Sequence, residues 1–122
     1  EDVYINGDGE TSRDFCYIDN AVQSNILAAM TENNEAIDQV YNVALNERTS
    51  LNELHRMIVD KITQRVQGLE KKEPIYRDFR PGDVRHSQAS VDKAYKLLEY
   101  RPKYKISEGL DEAIDWYINS VK

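Results

Sequence analysis

The sequence predicts one mixed α/β domain over residues 1–122, in which helices dominate and the strands are few and short. Several stretches place apolar residues 3 and 4 positions apart, which is the spacing of one helical face, and short apolar or alternating runs lie between them. The chain has 122 residues, enough to bury a core. Its composition, 40% hydrophobic and 31% charged, is that of a globular chain and not of a disordered one.

The first third of the chain is predicted to hold two strands and a helix. Residues 3–5 have strand character, residues 6–9 form a glycine turn, and residues 13–18 are extended, with Phe15 and Tyr17 on the face of Arg13. An amphipathic helix follows, and we expect its apolar face to lie in the core. That face comprises Ile18, Ala21, Val22, Asn25, Ile26, Ala29 and Met30.

The middle of the chain is predicted to contain a strand at residues 40–44 and a long helix. Ser50 and Glu53 have the spacing of a capping box, which opens the helix, and Gly68 is a stop signal. The face predicted to be buried comprises Leu51, Leu54, Met57, Ile58 and Ile62.

The last third is predicted to contain an extended segment, a turn and two helices. Residues 74–79 are extended, and a turn at residues 81–83 follows them. Ser90 caps a short helix that ends before Pro102, and Ser107 begins the final helix. The inward residues are Val91, Ala94, Leu97 and Leu98 in the short helix, and Leu110, Ala113, Ile114, Tyr117, Ile118 and Val121 in the final one.

The charge and the apolar runs argue against two classes of partner. The net charge is −6 and the apolar runs are only a few residues long, so we expect no nucleic acid, no anionic membrane and no transmembrane helix. Cys16 is the only cysteine, so no internal disulfide forms, and a reducing, cytoplasmic compartment fits. The chain opens at Glu1 and is strand-like almost at once, which we interpret as a cut inside a longer protein.

Two stretches carry cations in positions that suit an anion. In the first, the glycine turn feeds a strand that presents Arg13, whose guanidinium forms charge-assisted bonds with phosphate. In the second, Pro81 and Gly82 fix a turn between Arg80 and Arg85, with Asp83 beside them. A fork-shaped guanidinium suits a diphosphate and a carboxylate suits the vicinal hydroxyls of a ribose. The same spacings also fit a surface hairpin and a turn held by an internal ion pair.

The order of these pieces resembles a known family. Gly-Asp-Gly with Arg-Asp-Phe, then Tyr-Asn-Val-Ala, then Arg-Pro-Gly-Asp-Val-Arg-His-Ser and a closing Trp-Tyr helix are similar to the C-terminal part of UDP-sugar 4-epimerases. These are extended short-chain dehydrogenases/reductases, and the resemblance is closest to UDP-N-acetylglucosamine 4-epimerases of surface-polysaccharide synthesis. The resemblance spans nearly the whole chain. It implies a C-terminal substrate-binding part that lacks the N-terminal Rossmann half.

The resemblance also implies roles for individual residues. Arg13 and Arg80 would contact the substrate diphosphate, Phe15 would lie beside the substrate, and Asp83 would hold the uridine ribose. Some relatives have tyrosine at the position of Phe15, so a hydroxyl contact is absent here. The residues Arg85, His86 and Ser87 follow in the form typical of the N-acetylhexosamine branch and are taken as neighbours of the site.

Two parts of the family's machinery are absent from the sequence. No Gly-x-x-Gly-x-x-Gly turn for NAD occurs, and no Tyr-x-x-x-Lys supplies the catalytic base. The near matches are Tyr76 with Arg80 and Tyr4 with Asp8. We therefore assign no catalytic, cofactor-binding or metal-binding residue, and we expect the isolated chain to be inactive.

The resemblance implies that the intact parent, as a homodimer, oxidises the sugar C4 hydroxyl with bound NAD and returns hydride to the other face. This chain would grip the UDP of the UDP-sugar. Two other interpretations remain open. One is another extended short-chain enzyme, a nucleotide-sugar dehydratase or decarboxylase. The other is a non-catalytic α/β interaction module.

Overall fold

Four helices and four short strands make up the part of the chain that the computed structural model describes, residues 2–120. Val121, predicted on the final helical face, lies outside the described residues. A single 3-10 turn, Asn34–Ala36, lies between the first helix and the third strand. The strands are β1 (Tyr4–Asn6), β2 (Ser12–Arg13), β3 (Thr49–Ser50) and β4 (Ile75–Arg77); the helices are α1 (Ile18–Met30), α2 (Leu51–Arg65), α3 (Asp92–Leu98) and α4 (Ile106–Ser120).

The strands form two small pairs that join distant parts of the chain. Strand β1 pairs in parallel with β4, with Tyr4 opposite Ile75, and β2 pairs antiparallel with β3, with Arg13 opposite Thr49. A parallel bridge also joins Ser12 to His86. The predicted extended segments are confirmed in part: β1 covers residues 4–6, one residue later than the predicted 3–5, and β4 covers residues 75–77 of the predicted 74–79. The bridge to His86 places the segment after β4 next to β2.

Helix α2 begins as the sequence predicts. The Ser50 hydroxyl accepts from the Glu53 backbone N–H at 3.2 Å, and the Glu53 carboxylate accepts from the Ser50 backbone N–H at 2.8 Å, so the capping box is confirmed. The first two backbone amides of the helix donate to the loop before β2. Leu51 N–H donates to Thr11 O and Asn52 N–H donates to Gly9 O, both at 3.0 Å. The helix ends at Arg65, three residues before Gly68.

Helices α3 and α4 follow the predicted pattern with small changes. Ala94 and Leu98 of α3 are buried as predicted. The N-cap is Val91, which has no side-chain cap, and not the predicted Ser90, whose hydroxyl lies 3.4 Å from the Asp92 backbone nitrogen. Helix α4 begins at Ile106, one residue before the predicted start, and its Ile114 is buried. Its Tyr117, predicted to face inward, is 61% exposed, so that prediction is wrong.

Two predictions on extended structure are wrong. Strand β2 covers only residues 12–13, and Ile18 already belongs to α1, so residues 13–18 are not one strand. Residues 40–44 are not a strand, since the strand pairs among the described residues are β1–β4 and β2–β3 and neither includes them. They are held instead by side chains: the Tyr41 hydroxyl donates to Ala36 O at 2.8 Å, and the buried Tyr100 hydroxyl donates to Ala44 O at 3.1 Å.

The burial of α1 also differs from the prediction. The core is formed by Ala36, Ala94, Leu98 and Tyr100. Helix α1 turns its polar residues Asn20 and Ser24 inward, because the Asn20 amide bonds the backbone of residues 103 and 104. Its predicted inward face is largely exposed, including Ile18, Val22, Ile26 and Met30. Among the described residues, no helix is both long and apolar enough to cross a bilayer.

Candidate functional site

A cavity of about 500 Å³ lies between strand β1 and helix α2 and contains three of the predicted site residues. Arg13, Arg80 and Asp83 line its polar end, together with Asn6 and Thr11. The rest of the lining comes from β1, the residue before it and α2, and is mostly apolar: Val3, Tyr4, Ile5, Leu51, Leu54, His55 and Ile58. The cavity therefore joins a charged end to an apolar wall, which is the usual make-up of a small-molecule site.

Arg13 reaches the cavity from β2, where its guanidinium has two protein partners. Its Nη1 donates to the Ser12 carbonyl at 2.8 Å, and its Nη2 forms an ion pair with the Asp83 carboxylate at 2.5 Å. The two side chains are partly exposed, at 30% and 37%. A ligand can therefore reach the pair.

Arg80 and Asp83 enter the cavity from the two ends of one tight turn. The Asp83 backbone N–H donates to Arg80 O at 3.2 Å, and Gly82 has a φ of +77°, as the third residue of a type II turn requires. With the Asn6 amide oxygen facing Arg80, that oxygen accepts from Nε at 2.9 Å and from Nη2 at 3.1 Å. Among residues 2–120, no carboxylate forms an ion pair with Arg80. It is the cation of this cavity that an anion would neutralise.

The other predicted site residues do not line this cavity. Phe15 is only half-buried, in the segment between β2 and α1. Arg85 forms a bidentate pair with Asp8 at 2.7 and 2.8 Å, and this bond holds the pKa of the Asp8 carboxyl below its usual value. Ser87 uses its backbone N–H to bond Ser12 O at 3.1 Å. In this structure, Arg85 and Ser87 hold the two site loops together.

The glycine turn before β2 is fixed by close packing. Gly9 has a φ of +76°, and a Cβ added there would lie 1.9 Å from the Asn52 side-chain oxygen. The Asn52 amide donates to Asp8 O at 3.1 Å and to the Glu10 carboxylate at 2.7 Å, while its oxygen accepts from the Tyr76 hydroxyl at 2.8 Å. Asn52 therefore ties the turn to both α2 and β4, and so positions the strand that carries Arg13.

His55 is a site residue that sequence reasoning missed. Its side chain lines the cavity, and its Nε2 is buried with no hydrogen-bond partner among the described residues. The sequence did contain a signal for this residue. His55 lies four positions after Leu51 and three before Ile58, so it shares their helical face, and it is the polar residue on that otherwise apolar face.

The described residues do not fit a dinucleotide cofactor. Such a cofactor needs a glycine turn that leads from a strand into free amides at a helix N-terminus. Here the glycine turn leads into strand β2, and the first amides of α2 already donate to Thr11, Gly9 and Ser50.

Comparison with known proteins identifies the family. The sequence profile described as GDP-mannose 4,6 dehydratase matches residues 1–113. The chain belongs to this family. Among curated members, the UDP-glucuronate 4-epimerase of Thermodesulfobacterium geofontis is 31% identical over 93% of this chain and 32% of its own length. The dTDP-glucose 4,6-dehydratase of Haemophilus influenzae is 29% identical over 93% of this chain and 35% of its own length.

Solved structures of the same family have the same fold. The Thermotoga maritima UDP-glucose 4-epimerase, determined with UDP-glucose, matches all of this chain with 36% of its own length, a TM-score of 0.86 and 32% identity. The Methanobrevibacter ruminantium UDP-N-acetylglucosamine 4-epimerase, in complex with UDP-N-acetylmuramic acid, matches 98% of this chain with 36% of its own length, a TM-score of 0.83 and 33% identity.

A third family member was solved with its cofactor. The Bacillus cereus UDP-glucuronic acid 4-epimerase, in complex with UDP-glucuronic acid and NAD, matches all of this chain with 36% of its own length, a TM-score of 0.74 and 30% identity. The predicted fold class, an α/β segment equivalent to the C-terminal part of an extended short-chain enzyme, is confirmed. The chain spans about a third of the length of these relatives.

Proposed function

We propose that this chain is the UDP-gripping part of an NAD-dependent UDP-sugar 4-epimerase. The observation that carries the proposal is the convergence of Arg13 and Arg80 on one cavity, although one comes from strand β2 and the other from the turn after β4. Two guanidinium groups in one cavity repel each other, and Asp83 neutralises only the first. An anion between them would stabilise the arrangement, and the solved relatives hold UDP-sugars.

The parent's cofactor and chemistry belong to residues outside this chain. NAD is proposed because an epimerase of this family was solved with it. In the extended short-chain enzymes that the sequence resembles, the catalytic base also lies in the N-terminal half. The contribution of the present residues is binding: a firm hold on UDP retains the sugar while it is reoriented, since remote binding energy acts on the reacting part of a substrate.

The finer proposal is that the sugar is a UDP-N-acetylhexosamine used in surface-polysaccharide synthesis. Its support is the Arg85-His86-Ser87 sequence, which resembles that branch, and a UDP-N-acetylglucosamine 4-epimerase among the similar structures. A dehydratase remains the second candidate, because a dTDP-glucose 4,6-dehydratase is nearly as similar in sequence as the epimerases.

Binding measurements test the grip. In the complete protein, Arg80→Ala should weaken UDP binding by about 2 kcal/mol, roughly thirtyfold, because a charged hydrogen-bond partner of the diphosphate is lost. Arg80→Lys should recover only part of this, since a point charge lacks the planar fork. Calorimetry with UDP gives both values.

The matched control for these variants is Arg101→Ala, which removes an arginine that stacks on Tyr95 outside the cavity. It should leave the UDP affinity unchanged. If Arg80→Ala and Arg101→Ala reduced the UDP affinity equally, Arg80 would not be a residue of the UDP site.

Product analysis distinguishes the two enzyme classes. The complete protein, given NAD and UDP-N-acetylglucosamine, should form the C4 epimer with no change in oxidation state, which proton NMR detects from the coupling at C4. Formation of a 4-keto-6-deoxy sugar, with loss of water, would replace the epimerase proposal with the dehydratase.

A further inference from the structure

The two arginines of the cavity are held by different kinds of partner. Arg13 forms an ion pair with Asp83, whereas the guanidinium of Arg80 bonds the side-chain amide of Asn6. A guanidinium only donates, so the oxygen of the Asn6 amide faces it and accepts from Nε at 2.9 Å and from Nη2 at 3.1 Å. We infer that Asn6 is a positioning residue for Arg80, which holds this guanidinium in the cavity without neutralising it.

The pairing of β1 with β4 fixes both residues of this contact. Asn6 is the last residue of β1 and lies opposite Arg77 at the end of β4, three residues before Arg80. The next residue, Gly7, donates its N–H to Arg77 O at 2.8 Å, and a Cβ added to Gly7 would overlap the Phe79 ring. The backbone on both sides of the contact is therefore held, and the contact itself sets the direction of the guanidinium.

The contact leaves the positive charge of Arg80 and one of its nitrogens available. Within residues 2–120, Nη1 of Arg80 makes no hydrogen bond. The charged side chains that line the cavity are two arginines and one aspartate, a net charge of +1 with histidine counted as neutral. A carboxylate in place of the Asn6 amide would bring this charge to zero and would compete with phosphate for Arg80. A neutral acceptor orients the cation and preserves its attraction for an anion.

An isosteric substitution separates this role from a structural one. Asn6→Asp keeps the shape of the side chain and its bond to Arg80 but adds a negative charge. In the complete protein it should weaken UDP binding at least about tenfold in calorimetry, because the new carboxylate neutralises the cation that the diphosphate needs. The urea midpoint should stay the same or rise, since an ion pair replaces a neutral contact. If the midpoint falls with the affinity, or if the affinity is unchanged, the inference is wrong.

Asn34→Asp is the matched control. Asn34 begins the 3-10 turn, is exposed and lies outside the cavity. The substitution adds the same charge to the protein at the first residue of a helical turn, where a negative charge is tolerated. It should leave the UDP affinity unchanged. An equal loss in the two variants would attribute the effect to the net charge of the protein and overturn the inference.

A double-mutant cycle tests whether Asn6 acts through Arg80. Asn6→Ala should weaken UDP binding about three- to tenfold, because a guanidinium that is no longer held must be ordered on binding. In the Arg80→Ala background the same substitution should have no further effect. Additive losses, or no loss from Asn6→Ala in the wild-type background, would show that Asn6 does not position Arg80.

The inference rests on the proposed UDP grip, and the same measurements distinguish the two failures. If the wild-type protein does not bind UDP, both are removed. If Arg80→Ala weakens UDP binding while Asn6→Asp and Asn6→Ala do not, the grip stands and the role of Asn6 is overturned.

Discussion

Replacing Gly9 by alanine should destabilise the protein through one identifiable contact. Gly9 has a φ of +76°, which costs an alanine about 1–2 kcal/mol. The new Cβ would also lie 1.9 Å from the side-chain oxygen of Asn52, so that side chain must rotate away. In doing so it gives up its hydrogen bonds to Asp8 O, the Glu10 carboxylate and the Tyr76 hydroxyl.

The free energy follows from these terms. Each exposed hydrogen bond contributes about 0.5–1.5 kcal/mol, so three at the lower end add about 1.5 kcal/mol to the strain. We expect Gly9→Ala to lower the free energy of unfolding by about 3 kcal/mol. Urea denaturation of the complete protein, followed by circular dichroism, measures the change if the slope with urea stays constant.

Gly68→Ala is the matched control. Gly68 has nearly the same φ, +78°, but nothing lies within 4 Å of an added Cβ, so only the backbone strain of about 1–2 kcal/mol applies. In an Asn52→Ala background the cost of Gly9→Ala should fall to that of Gly68→Ala, because the obstructing side chain is gone. Equal costs for Gly9→Ala and Gly68→Ala in the wild-type background would refute the reasoning.

Three further predictions concern stability. Tyr100→Phe should lower the free energy of unfolding by about 1–3 kcal/mol in urea denaturation, because Ala44 O loses its buried donor. Asp111→Asn breaks two ion pairs to α2 and should cost up to about 1 kcal/mol in low salt and less in 1 M salt, measured by thermal unfolding. The Ser50 backbone hydrogen bond lowers the pKa of Glu53 from 4.5 in the folded protein. This stabilises the fold above about pH 4.5 and is lost as the pH falls through the lowered pKa, so Glu53→Gln should reduce the acid sensitivity of the melting temperature below pH 4.5.

The helices were predictable because their signals are local. The capping box of Ser50 and the apolar spacing of α2 to α4 depend on residues within a few positions of each other. The orientation of α1 was not predictable in this way. Spacing identifies residues that share a face, but the side that turns inward is decided by Asn20, whose bonds reach residues 103 and 104. The prediction of a strand at residues 40–44 was wrong for the same reason, because a strand forms only where a second strand pairs with it.

The candidate site was predictable only in part. The residue types of Arg13 and Arg80 indicated an anion site, and their order along the chain indicated the family. Their meeting in one cavity depends on the β1–β4 and β2–β3 pairings, which no spacing reveals. The ion pair between Arg13 and Asp83 was also not foreseen, because the sequence offered Asp83 two nearer arginines, one on each side.

The pairing of β1 with β4 sets the order in which the molecule can assemble. Arg13 and Asp83 are 70 positions apart, so the cavity exists only after a long loop has closed. Helices α2 and α4, in contrast, form through hydrogen bonds between residues close together in the sequence. Long-range pairings of this kind are slow, because the entropy of closing the loop is lost before the contacts form. If the cavity has not yet formed in the transition state of folding, UDP will slow unfolding and leave the refolding rate unchanged. Stopped-flow traces with and without the nucleotide would reveal this difference.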